Sequence, residues 1–453
     1  MKRINIAYIG GGSRGWARTL MNDLVLEESL YGEVRLYDID REAALMNVRI
    51  GNLYNEAEGA VTRWNYTASE TLDEALDDAD FVIISILPGS FDDMECDVHC
   101  PEKYGIYQSV GDTVGPGGIM RSVRAVPMYV EITRAIDKSC PEASVITYTN
   151  PMTVLTRTLY KVFPGIRAFG CCHEVFGTQR LLIAMLKEMG LAESAKRDEI
   201  KVNVLGINHF TWLDSAEYKG MDLMPVYKDF VDKYYENGFN PGGKWNDTYF
   251  SSGNRVKFDL FRRYGLIAAA GDRHLAEFCP DRYLKDRKTV EFWQFGLTPV
   301  SWRKSDLAAR MEKTRKLCEG IEKPSIKNTG EEGVSLIRAL AGGEKVLSNV
   351  NTINNGQHEG LPDGAVVETN AVFSREGVVP VNAGRLSPDI EKLVMRHVKN
   401  QEALVNACIS GDRAGVLQVF LNDPLVRLPK QEAIELFNIM YEKNSEYLKG
   451  VRR

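Results

Sequence analysis

Gly10-Gly11-Gly12-Ser13-Arg14-Gly15 follows an apolar run at residues 4–9 and precedes an amphipathic, helix-like stretch at 16–28. This turn restricts the chain more than any other feature, because a glycine-rich step from strand to helix opens the doubly wound parallel sheet. The glycines permit the tight turn and a close backbone approach, and the helix start offers free N–H groups to a pyrophosphate. Residues 34–37 read as the second strand, ended by Asp38, 23 residues beyond Gly15. A carboxylate there accepts from adenosine ribose hydroxyls and repels a 2′-phosphate, so NAD is expected rather than NADP. Gly10, Gly12, Ser13, Arg14, Gly15 and Asp38 make up the candidate cofactor site.

The alternation continues. Residues 80–87 (DFVIISIL) form a buried-strand run stopped by Pro88-Gly89. Runs at 144–149 and 166–171 follow, the last expected to be the final strand of this sheet. A helix is predicted over 178–189, a strand over 202–205, a long loop over 237–253, a helix-spaced stretch over 388–420 and another helix after Pro429. The fold class expected is α/β: an N-terminal Rossmann-type parallel sheet (1–170) with a C-terminal α+β domain (171–453), organised like lactate and malate dehydrogenases.

A net charge of −6 without a basic stripe argues against a nucleic-acid partner, and no apolar run reaches membrane-spanning length. The short apolar N-terminus lacks a cleavage pattern, and eight scattered cysteines suit reduced thiols, so a cytoplasmic enzyme acting on a small molecule is expected. Assembly as a homodimer or homotetramer is expected as well.

Four further segments carry a resemblance. They are Gly111-Asp112-Thr113-Val114-Gly115-Pro116-Gly117-Gly118, Thr149-Asn150-Pro151-Met152, Cys172-His173-Glu174-Val175 and Gly206-Ile207-Asn208-His209. With the run at 406–426, their order and spacing resemble glycoside hydrolase family 4, the NAD- and metal-dependent glycosidases. The resemblance implies that Cys172 and His209 hold Mn²⁺ or another divalent cation and that His173 is the general acid. It further implies that Asp272 is the general base and that Asn150, Asp112, Glu174 and Arg273 face the sugar. Composition alone would assign none of this: a Cys and a His 37 residues apart are no metal motif. His173 could equally orient Cys172, and Asp272 could be a turn residue.

The implied reaction is oxidation at C3, removal of the C2 proton, departure of the glycosidic oxygen, addition of water and re-reduction. Within the family the tetrapeptide at the metal cysteine sorts substrates. The Cys-His-Glu-Val form here resembles the α-galacturonidase subgroup, and Glu174 would repel a 6-phosphate. An arginine, Arg121, Arg124 or Arg273, would then pair the uronate carboxylate. Neutral α-glucosides or α-galactosides are the alternative substrates, and an NAD-dependent hydroxyacid or sugar-acid dehydrogenase is the alternative enzyme.

Overall fold

The computed structural model describes residues 1–448; the remaining residues of the second assigned domain, 449–453, lie outside the described residues. Six strands pair in parallel: β1 (Lys2–Ile9), β2 (Leu30–Tyr37), β3 (Trp64–Ala68), β4 (Phe81–Ile84), β5 (Ser144–Thr147) and β6 (Arg167–Gly170). Their spatial order, β3-β2-β1-β4-β5-β6, is that of a dinucleotide-binding sheet, with the switch of direction between β1 and β4. Continuous apolar runs are needed here because both faces are covered. Ile4, Ile6 and Tyr8 of β1 join one core cluster, while Ala7 and Ile9 join the cluster on the opposite face.

The sheet does not end at β6, which corrects the expectation for 166–171. Strands Val346–Ile353, Val366–Ser374 and Gly377–Pro380 extend that edge antiparallel, giving nine strands. Buried polar side chains within them, Ser348, Asn349, Asn351 and Glu368 among others, break the hydrophobic alternation by which a strand is read. A second, antiparallel sheet is built on the hairpin of β7 (Ile200–Ile207) and β8 (Phe210–Tyr218), with Asn208-His209 at its tip.

Helix Gly115–Ser139 packs against helices Phe91–His99, Met152–Val162 and Pro388–Ser410. The stretch 388–420 is two helices rather than one: Gly411, at φ +68°, ends the first, and the Asp412 side chain accepts from Ala414 N to begin the second, Arg413–Asn422. Beyond it, Asp423 accepts from Gly115 N (3.1 Å), so the C-terminal run closes onto the start of helix Gly115–Ser139. Among the described residues no helix is long and apolar enough to cross a membrane.

One buried ion pair locks this arrangement. Arg124 donates to both oxygens of Asp97 (3.2 and 2.5 Å), to Asn444 Oδ1 and to Pro88 O, with both charged side chains at most 2% exposed. Arg124→Met leaves Asp97 charged and unpaired. It is expected to destabilise the protein by about 3–5 kcal/mol, read as a lowered midpoint in equilibrium urea unfolding.

Candidate active site

The glycine turn lies at the carboxyl end of β1. Gly10 has φ +92°, and a Cβ there would sit 2.2 Å from Ser85 O, so β1 and β4 can diverge only around glycine. A Cβ on Gly12 would strike Asp38 Oδ2 at 2.9 Å; the hydrogen atom instead lets Gly12 N donate to that oxygen (2.8 Å). Asp40 N donates to Asp38 Oδ1 (2.9 Å), and burial raises the Asp38 carboxyl. Asn47, fully buried, donates to Gly11 O and Ser13 O and accepts from Arg18. Helix Trp16–Leu24 starts at Gly15 without a side-chain cap, so its first N–H groups face the turn. Arg14 Nε is buried with no partner among the described residues.

At the far end of the sheet, Cys172 follows β6 and His209 lies at the β7–β8 tip. Asn208 connects them, its side chain bonding both Cys172 and Glu368. His209 Nδ1 lies 3.0 Å from Thr113 Oγ1, and the Thr113 hydroxyl donates to Asp112 Oδ1 (2.7 Å). An ionised carboxylate only accepts, so the Thr113 oxygen receives the Nδ1 proton of His209. The lone pair is thereby left on Nε2. Burial, then the ring of His274 stacked at 3.9 Å, lowers the His209 pKa to about 3, which keeps the ring neutral. Burial and the nearby Glu368 and Glu174 carboxylates push the Cys172 thiol far upward.

Around this pair the expected substrate residues converge. Asn150 Nδ2 donates to Asp112 Oδ2 (3.3 Å), and Asn150 O accepts from Arg121 Nε (2.8 Å). Glu174 opens helix Glu174–Glu188 and accepts from Gly271 N (2.6 Å). Burial favours the neutral form of Glu174; His274 and His209, once protonated, and the Gly271 N–H work against it and bring its pKa down to about 2. Asp112 is lowered against its own burial by His274, Arg121 and His209. His173, partly exposed, stacks on Trp16 (5.7 Å), which stacks on Tyr148 (5.4 Å); its Nδ1 is 4.0 Å from Glu331. His173, Trp16, Tyr148 and Glu331 line an open cleft beside Cys172.

Three residues are placed differently from expectation. Arg124 belongs to the buried pair with Asp97, so it cannot read a substrate. Arg273 donates to Ser109 O (2.5 Å), Gly296 O (3.2 Å) and Thr298 Oγ1 and lies over Phe250, so it serves as a strut between loops rather than facing the sugar. Asp272, fully buried, accepts from Val256 N and Lys257 N and so caps helix Arg255–Tyr264; burial raises its carboxyl to about 6. Sequence reasoning also missed Thr113, Glu368 and His274. Only six histidines occur in the chain, and three of them meet here, a concentration that could have drawn attention to His274.

Comparison with known proteins decides the family. The family 4 glycosyl hydrolase model matches residues 5–188, and the model of that family's C-terminal domain matches residues 204–426. The chain belongs to glycosyl hydrolase family 4. An α-galacturonidase of Thermoanaerobacterium saccharolyticum is 58% identical over 99% of this chain and 97% of its own length. A Bacillus subtilis protein solved under the name of a glucosidase is 54% identical, with a TM-score of 0.93 over 97% of this chain and all of that one. The 6-phospho-β-glucosidase of Thermotoga maritima, solved with manganese, NAD⁺ and glucose 6-phosphate, shares the fold at 23% identity. Its TM-score is 0.78 over 98% of this chain and 99% of that one.

The family 4 site fits both groups. The Gly12–Asp38 contact and the uncapped helix start suit a dinucleotide. For a cation, the forced Nε2 lone pair of His209 and the Cys172 sulfur are the donors, with Asn150 Oδ1 and Asn208 Oδ1 buried without partners nearby. Among the described residues no group of three or more His, Cys, Asp or Glu side chains is placed to hold a metal. If the Thr113 hydroxyl fixes the tautomer, Thr113→Val should weaken Mn²⁺ binding about 10–100-fold while NAD affinity stays at the wild-type value, both measured by titration calorimetry.

Proposed function

We propose that this family 4 enzyme is an α-galacturonidase that hydrolyses short α-linked uronides with NAD and a divalent cation, Mn²⁺ first. The observation that carries the reading is the 58% identity to an α-galacturonidase over nearly the whole chain. Glu174 supports it: ionised and next to the proposed cation ligand, it disfavours the dianionic phosphate of a 6-phosphosugar. The eight free cysteines accord with a cytoplasmic setting. The division at 170/171 and a homo-oligomeric assembly belong to the same proposal.

When bound, NAD supplies reversible oxidation at C3 and the cation polarises the sugar oxygens there. Asp38 would hold the adenosine ribose, and Cys172 with His209 would hold the cation. Asn150, Asp112 and Glu174 orient hydroxyls around that point, and His173 delivers a proton to the glycosidic oxygen from the partly open side of the site. Asp272 takes the C2 proton; its carboxyl is raised into the range a base needs near neutrality, and one oxygen must leave its backbone donors to do so.

Turnover in D₂O should place deuterium at C2 of the released galacturonic acid, and EDTA should stop turnover until Mn²⁺ is restored. Cleavage with C2 fully protonated and no need for NAD would mean ordinary two-carboxylate hydrolysis instead. NADH accumulating without glycoside cleavage would mean a dehydrogenase. With Asp272 as base, kcat/KM should fall as pH drops through about 6, because protonation removes the lone pair. Asp272→Asn should lower kcat by about 10²–10⁴-fold. Wild-type exchange at C2 in that variant would leave Asp272 with its helix-capping role alone.

A further inference from the structure

A hexuronide differs from the matching hexoside by one fixed negative charge at C6. A site that selects it needs an uncommitted guanidinium, whose forked donors match a carboxylate. Arg124 and Arg273 are committed to Asp97 and to backbone and threonine oxygens respectively. Arg121 binds Asn150 O through Nε and faces Asp112. Arg303 differs from all three. Among the described residues it makes no hydrogen bond or ion pair, and its Nε is buried without a partner. A buried donor left unpaired is costly, so its presence calls for an acceptor that arrives with a ligand.

Its position fits that role. Arg303 lies in the first turn of helix Val300–Cys318, on the face shared by Val300, Arg310, Thr314 and Leu317. That face is the inner one: Val300, Thr314 and Leu317 are buried, and Thr314 Oγ1 accepts from Arg18. A Cβ on Gly15 would lie 2.9 Å from Arg310 Nη1, so this part of the helix runs along the cofactor turn. Arg303 is two turns earlier, about 10 Å along the axis. There the helix start is fixed by Val300 N donating to His99 Nε2 (3.3 Å) and by the Thr298 contact with Arg273. The charge of Arg303 acts on both Arg121 and Arg273, which in turn act on Asp112. Glu277, a further acid beside Asp112 and Arg273, is pushed up to about 8 by burial and does not offset these guanidiniums at neutral pH, which leaves Asp112 and Glu174 to face them. Arg303 Nε is buried there without an acceptor.

We propose that Arg303 binds the C6 carboxylate of the galacturonic acid unit and so sets the preference for uronides. This rests on the α-galacturonidase reading. The test uses the full-length enzyme loaded with NAD and Mn²⁺ and titrated with D-galacturonate, D-galactose and D-galactose 6-phosphate. The wild type should bind galacturonate about 100-fold tighter than galactose and prefer it to the phosphate, the range of a charge-assisted pair. Arg303→Gln should lose about that factor on galacturonate alone, with galactose affinity, NAD affinity and melting temperature at wild-type values; Arg303→Lys should recover part of the loss. Retained discrimination in Arg303→Gln, or equal losses on both neutral and acidic sugars, would overturn the proposal while the α-galacturonidase reading stands. A wild type that prefers galactose or the 6-phosphate would instead remove the reading itself, and the proposal with it.

Discussion

The two sheets meet at the buried carboxylate of Glu368, and the geometry of the site depends on that junction. Glu368, 1% exposed, stands on strand Val366–Ser374 of the large sheet. It accepts from Asn208 Nδ2 (3.2 Å) and Thr211 Oγ1 (2.9 Å) of the β7–β8 hairpin and from Asn349 Nδ2 (2.8 Å) of the neighbouring strand. Asn349 Nδ2 also reaches Cys172 O (3.2 Å). Burial raises the Glu368 carboxyl, and its amide and hydroxyl donors work against that rise. Each of these donors would lose about 1–3 kcal/mol if left buried and unpaired, so the network holds as a unit. It fixes the backbone of Cys172 and the residue preceding His209, the two proposed cation ligands, from the neighbouring strands.

Charge is distributed around that junction with a clear division. Asp112 and Glu174 are kept ionised, while His209 and Cys172 are kept neutral in the absence of a cation. The neutral pair is the one that must donate lone pairs, and the charged pair must accept from hydroxyls. The Asp112–Thr113–His209 chain links the two halves, since the carboxylate dictates the direction of each hydrogen bond down to the imidazole.

Much of this was legible in the sequence where the determinant is local. The Gly10–Gly15 turn, Asp38 after β2, and Cys172 after β6 are each fixed by a strand and the few residues that follow it, which is the range over which sequence patterns act. Asp272 and Arg273 mark the limit of such reading. Their place in the chain was legible, but the direction of each side chain is set by partners far away in sequence. Helix Arg255–Tyr264 supplies N–H groups to Asp272, and Ser109 and Thr298 supply oxygens to Arg273. Glu368 and the added strands were hidden for a related reason. Their polar residues are buried, Asn349 and Glu368 bonded to each other, and periodicity counts a polar residue as exposed. Gly411-Asp412 did carry a readable signal, a left-handed stop followed by a capping acid, which the helical spacing on either side obscured.

The antiparallel extension beyond β6 explains how a dinucleotide fold can host a cation and a carbohydrate at one end. In a purely parallel sheet of this order, β6 would be an edge, and the chain leaving it at Cys172 would face solvent on one side. Here Asn351 of strand Val346–Ile353 pairs with Gly170, so β6 becomes an interior strand and Cys172 emerges into a walled corner. One wall is the Glu368 network and another is the β7–β8 tip bearing His209. Closing the edge thus walls the thiol on one side, and the desolvation that results raises its pKa. The same wall places the ligands at the carboxyl end of the sheet, where the doubly wound topology leaves its binding crevice. The family 4 site is therefore a consequence of how the sheet is finished. The last three strands carry no part of the cofactor turn, but through Glu368 and Asn349 they hold Asn208 and the backbone of Cys172 at that corner.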